Sequence, residues 1–438
     1  METKLARIAQ VAKEKPNERF TALAHLIDVE HLKECHRRTN PHKVPGVDEI
    51  TKEEYGRNLE ENLHDLIARM KRNAYKPQPV KRKYIPKPGK NEMRPLGIPS
   101  YEDKLVQTAL ANILNPIYEA EFLDCSYGFR PGRGCHDALK ELNYIIERKK
   151  VNYVVDADIR GFFDHVDHQW LSKFIAHKIS DPQIQRLIAR MLKAGMMEAG
   201  IRYDTPEGTP QGGVVSPILA NIYLHYVLDL WFKKWTERYC QGEAYIIRYA
   251  DDFVCCFQYE NEARAFLSTL KGRLKKFNLE VAEEKTRIIN FGRYAKPGNK
   301  NGRRIETFEF LGFTHYCDTS RTGKFRVKRK TSKKKLRASL IRCKEWLRQN
   351  RNKPVRELIR TFHAKIQGHY NYYGVTDNIK ALRKFYYQVR KMLYKWLNRR
   401  SQRKSFDWDK YRLFLKKLPI PEPKIRINIY QRRLFPTC

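Results

Sequence analysis

The chain has 438 residues, of which 41% are hydrophobic and 31% are charged, and this composition excludes both a disordered chain and a membrane-spanning one. Lys and Arg exceed Asp and Glu by 38, and residues 321–438 alone have a net charge of +30. A surplus concentrated in this way favours a polyanionic partner. Nucleic acid is favoured over an anionic membrane surface, because membrane binding usually requires a basic amphipathic anchor.

The chain divides into helical, extended and basic segments. Residues 1 to about 70 are predicted to be helical, with a turn-rich interruption at 39–48. The many prolines between 75 and 99 predict loops and strand edges, and the apolar spacing within 103–122 predicts a helix. We further expect strands at 153–158 and 308–313. From about residue 330 onward, the sequence is basic and predicts helices with interspersed aromatic residues.

Three aspartates follow apolar segments in a pattern that indicates a metal site. Asp251 and Asp252 are flanked by apolar residues on both sides, which predicts a β-hairpin with the two carboxylates at its tip. Asp158 ends the separate strand at 153–158. An isolated aspartate is a common turn residue, but adjacent carboxylates repel each other unless a cation lies between them. Three carboxylates together therefore favour a site for Mg²⁺, which can promote phosphoryl chemistry as a pair of ions.

Seven sequence blocks, in family order, resemble those of reverse transcriptases. Two of them, SYGFRP and TPQGGxxSP, resemble in particular the bacterial group II intron reverse transcriptases, also called maturases. The blocks are RPLGIP at 94–99, SYGFRPGR at 126–133, DIRGFFDHVDH at 158–168, GTPQGGVVSP at 208–217, YADD at 249–252, EKT at 284–286 and FLGF at 310–313.

This resemblance implies an α+β fold of the right-hand polymerase type, with fingers, an antiparallel-sheet palm and a helical thumb. We expect an N-terminal extension at 1–70, fingers and palm at 71–320, the thumb or maturase domain at 321–395, and a basic C-terminal extension at 396–438. No Cys/His ligand cluster follows the thumb. We therefore expect the HNH-type endonuclease domain of longer family members to be absent.

The resemblance also implies the roles of individual site residues. Asp158, Asp251 and Asp252 are the expected catalytic residues and bind two Mg²⁺ ions, with Ile159 added to the metal site. The substrates are deoxynucleoside triphosphates, and Lys87 and Arg94 correspond to the triphosphate-binding pair. The spacing of that pair departs slightly from the family pattern, so Lys90 is an alternative to Lys87.

Two further positions are expected to contact the incoming nucleotide. Phe163 lies five residues after Asp158, where the family has an aromatic ring that excludes the ribose 2′-hydroxyl. The alternative interpretation is a core phenylalanine, as we expect for Phe162. Gln211 and the glycines after it are expected to let the backbone approach nucleotide and template closely, and the alternative there is an ordinary loop turn.

Nucleic-acid contacts are expected in the block residues and in the thumb. The segment 366–374, IQGHYNYYG, resembles the thumb signature of the family, with His369 where tryptophan is usual. Aromatic rings among basic residues suit stacking on unpaired RNA bases, although a helix core would have a similar composition. The expected contact residues are Arg130, Lys285, Tyr370, Tyr372 and Tyr373.

The resulting hypothesis is an RNA-directed DNA polymerase that copies intron RNA and assists its splicing. Its partners are structured intron RNA, as template and splicing target, and a DNA target or primer, with no membrane; the oligomeric state is left open. Nine cysteines without a CxxC pair favour a reducing, cytoplasmic setting. The resemblance implies that this is the cytosol or nucleoid of a bacterium. The alternatives are a free-standing enzyme of this type in defence or DNA repair, a splicing factor without polymerase activity, and an RNA-templated RNA polymerase, which Phe163 opposes.

Overall fold

The computed structural model describes residues 2–86, 93–198, 200–205, 207–209, 212–295, 306–400 and 405–431. Helices predominate at both ends of the chain, as the sequence predicts. None of the helices in these ranges is both long and apolar enough to cross a membrane. The helices are α1 Glu2–Glu14, α2 Val29–Arg38, α3 Lys52–Arg57, α4 Leu59–Lys71, α5 Tyr101–Glu119, α6 Cys135–Arg148, α7 His168–Ala176, α8 Pro182–Leu192, α9 Ser216–Leu224, α10 Leu230–Tyr239, α11 Glu260–Lys275, α12 Lys333–Asn350, α13 Val355–Tyr373, α14 Ile379–Leu397 and α15 Trp408–Lys417.

The strands form three sheets, and nearly all neighbouring strands are antiparallel. The sheet orders are β2-β1-β4-β5 in the fingers, β6-β7-β3-β8 in the palm, and β11-β10-β9 between palm and thumb. Only the short β1–β4 contact is parallel within these described sheets. The strands are β1 Val80–Pro86, β2 Met93–Ile98, β3 Tyr153–Asp158, β4 Met196–Glu198, β5 Ile201–Tyr203, β6 Ala244–Tyr249, β7 Asp252–Phe257, β8 Arg287–Asn290, β9 Phe308–Phe310, β10 Phe313–Thr319 and β11 Phe325–Thr331.

The palm sheet is buried on both faces, which explains its continuous apolar strands. Successive residues of a strand point to opposite faces. In β7, Phe253 and Cys255 accordingly belong to the core that contains α5, α9 and α11, whereas Val254 and Cys256 belong to a second core beneath α6. Both cores exclude water from the strands that end in the candidate aspartates. The expected α+β fold with an antiparallel palm and a helical thumb is confirmed.

Two expected features differ in detail. The strand predicted at 308–313 is two strands, β9 and β10, joined by a tight turn at Leu311 and Gly312. The boundary expected after residue 320 falls inside the β10–β11 hairpin, whose strands pair along their whole length. We therefore infer that the thumb begins after β11, at the N-terminus of α12.

The expected C-terminal extension also contributes to the thumb core. Tyr411 of α15 is fully buried, and its hydroxyl donates a 2.9 Å hydrogen bond to the carbonyl of Arg390 in α14. Trp408 stacks on Tyr394 of α14 at 4.0 Å between ring centroids. Because these contacts join α15 to α14, we infer that the thumb extends beyond the expected boundary at residue 395.

The carboxylate of Asp181 joins the N-terminal extension to the palm helices through hydrogen bonds. Asp181 is buried ahead of α8 and accepts hydrogen bonds from the backbone N–H groups of Leu23 and Ala24. It also caps α8 through the N–H groups of Gln183 and Ile184. Burial alone would raise the pKa of Asp181, but these four backbone donors outweigh it and lower the pKa.

We predict that Asp181→Ala lowers the free energy of unfolding by about 1–3 kcal/mol at pH 7, because buried N–H donors lose a charged acceptor. The pKa of Asp181 is lower in the folded than in the unfolded protein. Its contribution is therefore complete above the unfolded-state pKa and is lost as the pH falls through the folded-state pKa. Denaturant unfolding at several pH values measures this difference. Asp204→Ala, at an exposed site, is the matched control, and equal losses from both variants would contradict the prediction.

Candidate active site

The three candidate aspartates meet at one end of the palm sheet. Asp158 is the last residue of β3 and lies directly opposite Asp252, the first residue of β7. Asp251 precedes it in the two-residue turn between β6 and β7. The antiparallel register of β3 and β7 therefore brings together carboxylates that are far apart in the sequence.

The turn that contains Asp251 has an unusual backbone conformation. Ala250 has a φ of 57°, in the left-handed region that a residue with a Cβ seldom adopts. Gly128 lies against this turn so closely that a Cβ on it would be 2.3 Å from the Ala250 nitrogen. A glycine is therefore required at 128, and the SYGFRP block supports the aspartate turn from behind.

A fully buried arginine holds the same turn. Arg248 has no exposed surface, and its guanidinium pairs with both carboxylate oxygens of Asp229, at 2.7 and 2.5 Å. The same guanidinium donates 3.0 Å hydrogen bonds to the side-chain oxygen of Asn221 and to the carbonyl of Ala250. Asn221 in turn donates a 2.7 Å hydrogen bond to the carbonyl of Gly128. This network fixes the backbone on both sides of Asp251.

A helix irregularity places the partner of Arg248. Residues His225–Asp229 form a π-helical turn between α9 and α10, and Asp229 is its last residue. Such turns are rare and occur mostly at functional sites, where they redirect side chains. Here the π turn directs the Asp229 carboxylate into the buried space beneath the β6–β7 hairpin, where it pairs with Arg248.

The electrostatics of the site disfavour three ionised carboxylates in the absence of a cation. Burial raises the pKa of Asp251, and the charge of Asp158 acts in the same direction, whereas the positive charge of Arg94 opposes it. Burial, together with the charges of Asp156, Asp251 and Asp158, raises the pKa of Asp252 to about 7. A positive ion near these groups would restore their charged forms.

Asp156 is a fourth carboxylate that the sequence analysis did not assign to the site. It lies two residues before Asp158 in β3, on the same face of the strand. Burial raises its pKa to about 6, although the nearby Arg287 acts against this change. Successive side chains of a strand point to opposite faces, so residues two apart share a face. Applied to the sequence, this rule would have placed Asp156 beside Asp158.

The donor set of the site suits divalent cations. Carboxylate oxygens are the ligands that Mg²⁺ prefers, and the crowding of Asp158, Asp251 and Asp252 is relieved by positive charge. The ammonium of Lys285 forms an ion pair with Asp158 and supplies part of that charge. Among the described residues, however, no three His, Cys, Asp or Glu side chains converge in a group that could hold a metal ion. The coordination itself therefore stays a proposal.

Phe163 lies in a cleft between fingers and palm. Its side chain is half-buried and lines a cavity of about 200 Å³, together with residues of β1, β2 and the segment 207–209. Its carbonyl accepts a 2.8 Å hydrogen bond from the N–H of Thr209. The adjacent Phe162 is buried in the core, as expected. Phe162 is therefore enclosed by the core, whereas Phe163 packs against the same core and also lines the cavity.

A glycine brings the loop after residue 211 against the fingers. Gly212 has a φ of 113°, and a Cβ on it would be 2.7 Å from the carbonyl oxygen of Gly97 in β2. Close approach of two backbones is therefore the reason for a glycine here, and the expected approach to nucleotide and template stays a prediction. Gln211 itself lies outside the described residues.

The expected triphosphate residues are only partly described. Lys87 and Lys90 lie outside the described residues, so the structure does not distinguish between them. Arg94 is exposed in β2, and its charge lowers the pKa of Asp251. The guanidinium therefore lies within electrostatic reach of Asp251.

The structure corrects the nucleic-acid contact expected at Arg130. Its guanidinium is almost completely buried, pairs with Glu119 at 2.7 Å, and donates hydrogen bonds to the carbonyls of Leu123 and Ser126. These bonds tie the SYGFRP loop to the C-terminal end of α5. Arg130 is therefore a structural residue of the palm rather than a surface contact.

The thumb tyrosines are also directed inward. Tyr370 is fully buried in the thumb core, which corrects its expected role in stacking on RNA. Tyr372 and Tyr373 are half-buried and pack against Phe313 of β10. Burial explains the difference, because Tyr370 packs inside the thumb and the other two rings lie where α13 meets the palm.

Comparison with known proteins agrees with this architecture. Residues 85–315 match the family model described as reverse transcriptase (RNA-dependent DNA polymerase). Residues 333–414 match the model described as group II intron, maturase-specific domain. The second match starts with α12 and reaches into α15, in agreement with the thumb limits inferred above.

Two curated relatives match over most of the chain, and a third matches over a shorter part. The group II intron-encoded protein LtrA of Lactococcus lactis subsp. cremoris is 32% identical over 75% of this chain and 66% of its own length. Protein YkfC of Escherichia coli is 32% identical over 73% of this chain and 90% of its own length. An uncharacterised 91 kDa protein in the cob intron of Schizosaccharomyces pombe is 42% identical over 37% of this chain and 20% of its own length.

The buried arginine network leads to a stability prediction. We expect Arg248→Gln to lower the free energy of unfolding by about 3–5 kcal/mol, because it leaves the Asp229 carboxylate buried without its partner. The double variant Arg248→Gln/Asp229→Asn should recover part of this loss, since no uncompensated charge remains. Chemical denaturation measures both. Arg264→Gln removes an exposed pair with Glu260 and is the control, for which we expect no measurable change. A single variant as stable as the control would refute the prediction.

Proposed function

We propose, since the chain belongs to the group II intron family of reverse transcriptases and maturases, that it copies an RNA template into DNA. The observation that supports this most directly is the register of the palm sheet, which places Asp158 opposite Asp252 with Asp251 in the adjoining turn. Carboxylates at one sheet end, facing a cleft with an aromatic side chain and an arginine, suit the binding of a nucleoside triphosphate.

Asp158, Asp251 and Asp252 are proposed to hold two Mg²⁺ ions. When bound, such ions activate the primer 3′-hydroxyl and stabilise the charge on the leaving pyrophosphate. The side chain of Ile159 is buried, so its contribution to the metal site is limited to its backbone. The raised pKa values of Asp251 and Asp252 support the proposal, because bound cations would offset both the burial and the mutual repulsion that raise them.

The nucleotide would lie in the cleft next to Phe163. The ring, placed below the sugar, would exclude a 2′-hydroxyl and so select deoxynucleotides. Arg94, which faces the aspartates from β2, is proposed to bind the triphosphate, because a guanidinium forms bidentate bonds to phosphate oxygens. Lys87 is proposed as its partner, with Lys90 as the alternative, and Gln211 as a contact to the base or template.

The partners are proposed to be intron RNA, as template and splicing target, and a DNA primer or target. The net charge of +30 in residues 321–438 supports binding to phosphate backbones. Lys285 is about half-exposed beside Asp158 and stays a proposed nucleic-acid contact. In the thumb, Tyr387 is exposed on α14 with the ammonium of Lys391 4.4 Å from its ring centre, so it suits RNA stacking better than Tyr370.

A cytoplasmic location is proposed from the chemistry of the chain. The eight cysteines in the described ranges are free thiols. Thiols persist in a reducing compartment, where RNA and DNA are also available as substrates.

Primer extension tests the polymerase. We expect the wild type to extend a DNA primer on an RNA template with dNTPs and Mg²⁺. Asp251→Asn should reduce extension at least about a thousandfold, because a ligand charge is lost from the metal site. Asp204→Asn, at an exposed position, is the control and should keep full activity. A wild type that binds structured RNA tightly but makes no product would overturn the polymerase and favour a splicing factor.

Substitution of Phe163 tests the sugar selection. We expect Phe163→Val to lower the preference for dNTPs over rNTPs about tenfold or more, since removal of the ring opens space for a 2′-hydroxyl. The measurement is the ratio of kcat/KM values for dATP and ATP in primer extension. The dATP value of the variant itself serves as the internal control for folding. An unchanged ratio would show that Phe163 is not the selecting residue.

A further inference from the structure

The turn between β9 and β10 is strained at the position where it approaches the active site. Phe310 pairs with Phe313, which leaves Leu311 and Gly312 as the two turn residues. Their φ angles are 48° and 78°, the left-handed pattern of tight hairpins. Glycine adopts this conformation readily, whereas leucine does so only where its surroundings impose it.

One side of this turn contacts the metal-binding carboxylates. The backbone N–H of Leu311 lies beside the carboxylate of Asp252, where it acts to stabilise the charged form of that group. A donor in this position favours one orientation of a side chain that would otherwise rotate about its terminal torsion. The Leu311 peptide therefore supports the end of β7 from the side opposite to β3.

The other side of the turn is held by the thumb. The hydroxyl of Tyr372, in α13, donates a 2.9 Å hydrogen bond to the carbonyl of Leu311. The N–H of Ser332, the N-cap residue of α12, donates a 3.0 Å bond to the carbonyl of Gly312. Two thumb helices thus impose the left-handed conformation on a turn that belongs to the palm.

Tyr372 has a second connection to the aspartate hairpin. Its hydroxyl and that of Tyr249, the first residue of the YADD block, both lie beside the Cys135 side chain at the start of α6. Its ring stacks on Phe313 at 5.9 Å between centroids. The Tyr372 side chain therefore lies between the thumb and the candidate active site. Its hydroxyl contacts Leu311 and Cys135, and each of these residues is adjacent to the aspartate hairpin.

We propose that Tyr372 is a positioning residue that couples the thumb to the metal site through the Leu311 peptide. A thumb seated on the palm keeps the Tyr372 hydroxyl on the Leu311 carbonyl, and the N–H of the same residue keeps the Asp252 carboxylate aimed at the cations. Displacement of α13 releases the strained turn and with it Asp252. The inference rests on the proposed function, since it takes Asp252 as a metal ligand.

The test compares two hydroxyl deletions on the same helix. Tyr372→Phe removes only the bond to Leu311 and the contact with Cys135, and keeps the ring. Tyr370→Phe is the matched control, because the Tyr370 hydroxyl is buried without a hydrogen-bond partner in the described structure. For both, Mn²⁺ binding is measured by electron paramagnetic resonance on the full chain, together with kcat, dNTP KM and the Kd for an RNA–DNA primer-template.

We expect Tyr372→Phe to raise the Mn²⁺ dissociation constant and to lower kcat, each about three- to tenfold, as for the loss of one buried hydrogen bond. The primer-template Kd should stay within about twofold, because the ring and all cationic residues remain. Tyr370→Phe should match the wild type. Equal behaviour of the two variants in Mn²⁺ binding and kcat would overturn the inference, and a change in primer-template Kd alone would instead assign Tyr372 to RNA stacking.

A third variant separates this inference from the proposed function. If Asp252 is a metal ligand, Asp252→Asn should abolish the Mn²⁺ binding that electron paramagnetic resonance measures in the wild type. Loss of the signal in Asp252→Asn with no effect of Tyr372→Phe would reject only the coupling. Full Mn²⁺ binding by Asp252→Asn would reject the metal site itself, and the coupling with it.

Discussion

The ion pair between Arg248 and Asp229 is the constraint on which the active-site end of the palm depends. Both side chains are fully buried, so either one alone would leave an unpaired charge in the core. The pair is satisfied only when the π-helical turn and the β6–β7 hairpin are both in place. A further hydrogen bond, from Arg248 to the carbonyl of Ala250, holds that residue in a left-handed conformation, and Asp251 follows it directly in the chain. Helix packing thereby determines where a candidate catalytic carboxylate lies.

Charge is arranged in opposite ways in the two halves of the molecule. The palm concentrates acidic side chains in a protected site, where burial and mutual repulsion raise the pKa of Asp252 to about 7. The thumb concentrates basic residues, which suit a phosphate backbone. The β9–β10 turn lies between the acidic site of the palm and the basic thumb, and it contacts both Asp252 and Tyr372. On the proposed function, cations held by the acidic site would attract the phosphates of a substrate to the palm, as the basic residues would attract them to the thumb.

The sequence predicted the active-site strands because strong local patterns define them. Apolar runs around Asp158 and Asp251 determine the strands and the hairpin, and burial on both faces makes such runs easy to recognise. Arg130 and Tyr370 were assigned to nucleic acid on their residue type, but the side of an element that a residue occupies depends on tertiary packing. The partnership of Arg248 with Asp229 was equally out of reach, since a π turn changes which residues share a face.

The order of strands in the palm sheet has a consequence for synthesis on the ribosome. β3 is completed early, yet both its neighbours, β7 and β8, come from much later in the chain. At ordinary translation rates, the wait for about one hundred further residues takes on the order of ten seconds. During that time both edges of an apolar strand lack their partners, which is the condition that favours aggregation. We therefore expect the edges of β3 to be covered during synthesis, either by helices that form early or by a chaperone, until β7 and β8 emerge and complete the site.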